Sequence, residues 1–281
     1  VIYLSDEAID RIIAEDAPYG DLTTWALDLG GKQGVMRYYS REAAVLCGTE
    51  EASRILSKLG AEVHFSLPSG TWTGPGETFL EAAGPAEALH MAWKATQNLL
   101  ECCSGIASKT KRVVDQVKAV NPAVAVVATR KSFPGTKQLA VKAVLCGGAF
   151  PHRLGLSESL LVFAEHIHFL GGLEELVRRI PELKAKLPEK KLIVETDNAE
   201  TALALCRAGV DAVQFDKLTP EALRAAAASL RAVNPGIGLL AAGGIREENA
   251  AEYAATGVDA LVTTSLFFAG PADMSVHITP V

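Results

Sequence analysis

Residues 192–244 read LIVETDNAETALALCRAGVDAVQFDKLTPEALRAAAASLRAVNPGIGLLAAGG. Three short apolar runs lie in this stretch, each closed by residues of a different kind. Leu192–Val194 ends in Glu195-Thr196-Asp197, Ala212–Phe215 in Asp216-Lys217, and Leu239–Ala242 in Gly243-Gly244. Helical segments separate them. Thr219-Pro220-Glu221 supplies a capping side chain, a proline whose missing N–H costs nothing at the first helical position, and an acid for the positive end of the dipole. Buried strands alternating with helices form a parallel sheet.

The pattern extends outward in both directions. Ala123–Ala128 ends in Thr129-Arg130-Lys131, Leu160–Phe163 leads to Glu165-His166, and Ala260–Val262 ends in Thr263-Thr264-Ser265. Polar groups gathered at strand C-termini are what a β/α barrel produces, because its βα loops build one face. Residues 106–269 are too few for eight full units, so six or seven strands are expected. A doubly wound open sheet is the competing fold. Gly209-Val210-Asp211-Ala212 returns 48 positions later as Gly257-Val258-Asp259-Ala260, with both glycines expected as helix C-caps.

The first hundred residues differ in texture. Gly34–Tyr39, Ala43–Leu46 and Thr78–Ala82 are short strand-like runs among turn signals such as Pro68–Gly70 and Gly74–Gly76. Helices are expected at Ser5–Glu15, with Ser5 as cap, at Glu50–Leu59, stopped by Gly60, and from Pro85 to about Lys118. The expected division is an N-terminal α/β domain over 1–106, joined by the C-terminal segment 271–281, and an α/β barrel over 107–270.

Composition excludes several classes. The chain has 281 residues, 49% of them apolar and 21% charged, which suits a globular protein and not a disordered one. A formal charge of −6 argues against a dedicated nucleic-acid binder. The longest apolar runs fall far short of the ~20 residues that span a bilayer. Acids at Asp6, Glu7, Asp10 and Glu15 predict no secretory leader, and hence a cytoplasmic protein. Cys47, Cys102, Cys103, Cys146 and Cys206 have no C-x-x-C spacing and are expected as small buried hydrophobes.

Charge is unevenly placed. Between Gln116 and Ser157 there is no acid, while Lys118, Arg130, Lys131, Lys137, Lys142 and Arg153 give a local charge of +6. Such a patch favours a small anionic ligand; a basic face paired with acids elsewhere in the fold is the alternative. Gly243-Gly244 before Ile245-Arg246-Glu247-Glu248 reads as a glycine turn entering a helix, where backbone amides can take a phosphate. Glu195 and Asp216 end consecutive strands, a pair suited to Mg²⁺ shared with substrate oxygens or to ribose hydroxyls. His166 and His168 would share one strand face as a metal pair does, but lack matching further ligands; loop or core histidines are expected.

Thr129-Arg130-Lys131-Ser132-Phe133-Pro134-Gly135 and Gly147-Gly148-Ala149-Phe150-Pro151-His152-Arg153-Leu154-Gly155-Leu156 resemble the signature of quinolinate phosphoribosyltransferases, the carboxylating nicotinate-nucleotide pyrophosphorylases. Gly20-Asp21-Leu22-Thr23-Thr24, Asn98, Ser104-Gly105-Ile106-Ala107, Glu195, Asp216, Gly243-Gly244 and Gly257-Val258-Asp259 extend the likeness along the chain. The resemblance implies an N-terminal α/β sandwich with an incomplete, roughly seven-stranded α/β barrel. It implies a homodimer, or a higher oligomer, whose sites are completed by the partner. Thr129, Arg130, Lys131, Lys137, His152 and Arg153 would bind anionic groups. Glu195 and Asp216 would hold the ribose hydroxyls and Mg²⁺ of phosphoribosyl pyrophosphate, and amides near Gly243, Gly244 and Thr264 its 5′-phosphate. Lys131, Glu195 and Asp216 are the implied catalytic residues, in a displacement where cations aimed at the departing pyrophosphate do most of the work.

The departures fall mostly on the acceptor side. Cys102 replaces an arginine that the family donates across the dimer, Trp93-Lys94 replaces Glu-Arg, and Phe163 replaces a lysine. Asp-Asn becomes Asp216-Lys217, and the serine before the glycine pair becomes Ala242. Arg-Lys-Ser-Phe-Pro-Gly-Thr-Lys, at 130–137, is closest to the ModD branch, pyrophosphorylase-like proteins associated with molybdenum transport. The expected function is phosphoribosyl transfer to a nitrogen heterocycle related to quinolinate or nicotinate. Two alternatives stand beside it: a non-catalytic phosphate or oxyanion binder, for a nucleotide or molybdate, and a Schiff base at Lys131.

Overall fold

The computed structural model describes residues 2–281. The described residues form two compact units, one of residues 2–111, 132–148 and 267–281, the other of residues 112–131 and 149–266.

In the first unit, β1 (Gln33–Ser40), β2 (Ala44–Val45), β3 (Glu62–Ser66), β4 (Trp72–Thr73) and β5 (Thr78–Pro85) are joined by the C-terminal strand Met274–Pro280. Met274–Pro280, β1, β5 and β3 form an antiparallel sheet in that order, and β2 pairs with β4. Alternation along β1 buries Met36, Tyr38 and Ser40 on one face, where Phe79, Leu80 and the helix Thr49–Leu59 complete a core. Ser5 caps the helix Asp6–Asp16 by accepting from the Ala8 N–H, and left-handed Gly60 ends Thr49–Leu59. The chain leaves along the 35-residue helix Ala86–Val120. Within this unit Lys142 is 7% exposed and donates to Glu50 Oε2 at 2.8 Å and Glu51 Oε2 at 2.5 Å. Lys142 is therefore a paired core cation and leaves the proposed anion patch.

The second unit is a parallel sheet of β6 (Ala125–Ala128), β7 (Phe150–Pro151), β8 (Leu160–Val162), β9 (Leu192–Thr196), β10 (Ala212–Asp216), β11 (Gly238–Ala242) and β12 (Ala260–Thr263). Its order is β7-β6-β12-β11-β10-β9-β8, all neighbours parallel, so the seven-stranded barrel stays open between β7 and β8. Leu161, Ile193 and Ala212 pack inside it with Phe163 and Leu240. The competing doubly wound sheet is thereby set aside. Two-residue β7 carries too short a run to be seen as a strand in the sequence.

The 48-residue echo works at the N-terminal ends of the strands. Asp211 Oδ2 accepts from the Leu192 N–H at 2.7 Å, and Lys184 Nζ lies 2.7 Å from Oδ1. Asp259 Oδ2 accepts from the Leu239 N–H at 2.7 Å, and Arg231 donates to both of its oxygens. Each aspartate ties the start of one strand to its neighbour and to a preceding helix. Ties at that face of a barrel serve stability, whereas the catalytic groups sit at the opposite, C-terminal face. Gly209 is a left-handed C-cap as expected. Gly257 is not: Ala255 caps the helix Ala250–Ala254, and Gly257 turns the chain two residues later.

Three further expectations are corrected. His166 and His168 lie on the helix Ala164–Leu170, not on a strand, because the apolar run gives way to helix after Phe163. Gly243-Gly244 leads into a turn, and the next helix begins only at Ala250. Cys47, Cys103 and Cys206 are buried and Cys146 half-buried, but Cys102 is exposed, since adjacent helical positions point about 100° apart.

Candidate active site at the strand C-termini

The polar groups expected at strand ends converge in the second unit. After β6, the Thr129 N–H donates to Thr263 O at 3.1 Å, and the two hydroxyls of Thr129 and Thr264 lie 2.9 Å apart. The Lys131 N–H donates to Thr129 Oγ1 at 3.3 Å. Thr129 thus ties the β6 loop, with exposed Arg130 and Lys131, to the end of β12. After β7, the His152 N–H donates to Ala128 O at 2.8 Å, which ties the His152-Arg153 segment to β6.

Arg153 is 8% exposed, and its guanidinium lies 6.0 Å from the centroid of the Phe163 ring. Phe163 also stacks on His166 at 5.8 Å, and its N–H donates to His166 Nδ1 at 3.0 Å. The Phe163 ring thus lies against both a guanidinium and an imidazole. Burial, with Arg153 adding to it against Glu158, holds the His152 imidazole below its ordinary pKa and keeps it neutral near pH 7. Its Nε2 is buried without a hydrogen-bond partner among the described residues.

The acids lie on β9 and β10. Glu195 and Gln214 are register partners on β9 and β10, and Gln214 Nε2 donates to Glu195 Oε2 at 2.5 Å. Asp216, two residues on from Gln214, shares its face of the strand. Burial lifts the Glu195 carboxyl above its ordinary pKa; Asp216 and Glu165 act in the same direction, and Gln214 and Lys131 oppose them. The Asp216 side chain is half-buried, with Lys217 Nζ 3.2 Å from Oδ2.

Gly243 has φ +83°, and a Cβ built there would lie 2.5 Å from Asp216 Oδ1 and 2.9 Å from the Lys217 nitrogen. It is glycine because the Asp216 carboxylate and the Lys217 backbone occupy the space of a side chain. Gly244, at φ +71°, faces open space. Asn249 holds this loop, donating to Gly244 O at 3.0 Å and accepting from the Arg246 N–H at 2.8 Å.

Thr129, Arg130, Lys131, His152, Arg153, Glu195, Asp216, Gly243, Gly244 and Thr264 all lie in the second unit, at the C-terminal ends of its strands. Lys137 lies in the first unit, as the opening residue of the helix Lys137–Cys146. Sequence reasoning missed Gln214. The available signal was an amide in the middle of the otherwise apolar run Ala212-Val213-Gln214-Phe215, a residue type that is buried only at a cost.

Residues 106–277 match the C-terminal domain of quinolinate phosphoribosyl transferase, and residues 21–104 its N-terminal domain. The chain belongs to the quinolinate phosphoribosyltransferase family. It is thus a member of a family of pentosyltransferase enzymes. A pyrophosphorylase named ModD from Rhodobacter capsulatus is 45% identical over 248 residues, covering 88% of this chain and 95% of its own. The carboxylating nicotinate-nucleotide pyrophosphorylase of Homo sapiens is 30% identical over 271 residues, covering 96% and 90%. Within the family the chain therefore stands nearer to the ModD branch. The crystal structure of NadC from Streptococcus pyogenes superposes with a TM-score of 0.90 over 100% of both chains at 23% identity, a likeness of fold. Among the described residues, no helix is long and apolar enough to cross a membrane.

Proposed function

We propose that this enzyme transfers the phosphoribosyl group of phosphoribosyl pyrophosphate to a nitrogen heterocycle less acidic than quinolinate or different from it in shape. The observation that carries the reading is that two sets of groups, one basic and one accepting, lie at the C-terminal strand ends of one unit. Arg130, Lys131 and Arg153, with the neutral His152, follow β6 and β7, and Glu195, Gln214 and Asp216 lie on β9 and β10. Cations suit the departing pyrophosphate and the acceptor's anionic group. Acceptor oxygens suit sugar hydroxyls.

No cluster of three or more His, Cys, Asp or Glu side chains able to cage a metal occurs among the described residues. That fits Mg²⁺, which binds through one or two carboxylates plus substrate phosphates. Glu195 and Asp216 would hold it, and it would supply charge neutralisation on the pyrophosphate. The protein's own part is to orient the ribose through these acids, to present Lys131 and Arg153 to the growing negative charge, and to keep His152 neutral as a donor or acceptor.

Phe163 supports a changed acceptor: it offers a ring where a carboxylate would need a cation, and losing each charged hydrogen bond costs about 1.5–3 kcal/mol. The reading carries with it a homodimer completed by the partner's N-terminal unit, in keeping with the exposed apolar side chains of Tyr19, Leu22, Trp25 and Leu27. Kinship with the ModD branch adds molybdenum transport as a physiological setting. A pure oxyanion binder fits less well, because Glu195 and Asp216 repel an anion unless a sugar or metal intervenes.

Titration calorimetry with phosphoribosyl pyrophosphate and Mg²⁺, followed by quinolinate on the saturated protein, tests this. Saturable donor binding with little quinolinate heat is expected. No donor binding would overturn it in favour of an oxyanion binder, with molybdate the next ligand to titrate.

A further inference from the structure

Gln214 is 4% exposed, and its Oε1 is buried with no hydrogen-bond partner among the described residues. Its other end is committed, since Nε2 donates to Glu195 Oε2 at 2.5 Å. An amide buried with one end satisfied and the other open costs stability, because desolvating an unpaired acceptor is expensive. An apolar residue of similar volume would avoid that cost in the strand run Ala212–Asp216.

The surroundings state what chemistry would complete the amide. Glu195 faces Gln214 across the β9–β10 register, and Asp216 stands two residues along on the same face. Two carboxylates and an amide oxygen therefore share one face of two adjacent strands, and all three accept hydrogen bonds. A carboxylate or a fully ionised phosphate group has no proton to give them. Sugar hydroxyls do, and a vicinal diol gives two.

We propose that Gln214 is a specificity residue of the donor site, its Oε1 accepting a hydrogen bond from a ribose hydroxyl while its Nε2 holds Glu195 in place for the diol. The inference rests on the transferase reading and adds a residue and a ligand group to it. A ligand lacking that hydroxyl leaves Oε1 unpaired in the bound state, so the site rejects deoxy sugars more strongly than the loss of one surface contact would explain.

The test needs no knowledge of the acceptor. Binding of ribose 5-phosphate, 2-deoxyribose 5-phosphate and 3-deoxyribose 5-phosphate is measured by calorimetry on the full chain and on Gln214→Met, with Mg²⁺ alone titrated into both. Removing one of the two hydroxyls is expected to weaken binding about tenfold or more in the wild type. In Gln214→Met, whose side chain accepts only weakly, that ratio is expected to fall to about threefold or less.

A wild-type protein indifferent to both deoxy ligands overturns the proposal, whatever the variant does. So does an equal deoxy penalty in Gln214→Met, which would assign the discrimination to Glu195 and Asp216 alone. Mg²⁺ bound without sugar, and lost in Gln214→Met, would make Oε1 a metal ligand and overturn the proposal in that way. Failure of the wild type to bind ribose 5-phosphate or phosphoribosyl pyrophosphate at all would fall on the transferase reading instead.

Discussion

Asp216 ends β10 and Gly243 directly follows the adjacent parallel strand β11, and the carboxylate of Asp216 fills the space that a side chain at 243 would need. The glycine turn therefore does two things at once. It passes the chain through a left-handed conformation, and it leaves the aspartate free to point into the barrel mouth.

Gly243→Ala is expected to displace Asp216 and lower Mg²⁺-dependent donor affinity by about tenfold or more, beyond the roughly 1 kcal/mol that a non-glycine residue costs at positive φ. Gly244→Ala shares the backbone strain but meets no neighbouring atom. It is expected to lose stability without the same loss of affinity. Calorimetry beside thermal melting separates the two, and equal donor affinities would remove the steric link.

Cys102 is exposed, so Cys102→Arg carries no core penalty. With Phe163→Lys it restores two cations of the family's acceptor site. Each is expected to contribute about 1.5–3 kcal/mol to quinolinate binding where the charged hydrogen bond forms. Phe163→Lys also brings a cation close to Arg153, so the combined gain is expected to fall short of the sum. Titration of quinolinate into the donor-saturated double variant measures this; no gain would mean that the pocket differs in shape as well as charge.

Asp211 ties β9, β10 and Lys184 together at the barrel end opposite the site. Asp211→Ala leaves the Leu192 N–H without its partner and is expected to cost about 1–3 kcal/mol in urea unfolding, with donor affinity unchanged. A variant as stable as the wild type would show that the Asp211 bond is replaced by water.

Glu50 gives the pH dependence. Burial works against its charge, but Lys142 and Ser69 prevail and bring its pKa to about 2 from 4.5. The folded state therefore binds fewer protons at Glu50 than the unfolded chain does. Its contribution is full above about pH 4.5 and is lost as pH falls toward 2. Because the side chain is 48% exposed, solvent screening moderates the size of the effect. Thermal melts of Glu50→Gln are expected to fall less steeply over this interval than those of the wild type; parallel slopes would assign the acid sensitivity to other carboxylates.

Local chemistry was enough to place most of the strands and several helix ends. Runs such as Leu192–Val194 and Ala212–Phe215 admit little but buried strand, and Ser5, Thr219, Gly60 and Gly209 end helices through bonds made within a few residues. The parallel sheet and the placing of Arg130, Glu195 and Asp216 at strand ends follow from that periodicity; the family and its incomplete seven-stranded barrel follow from the resemblance that the motifs carry. What the sequence could not supply depends on contacts between distant residues. Lys142 counts as a free cation until Glu50 and Glu51 meet it from another helix. Gly243 is an ordinary turn glycine until Asp216 arrives from the neighbouring strand. Gln214 is an unremarked amide until β9 sets Glu195 beside it and leaves its oxygen without a partner. Backbone conformation is decided by neighbours in the chain, whereas the pairing of charges and the satisfaction of buried polar atoms are decided by neighbours in space.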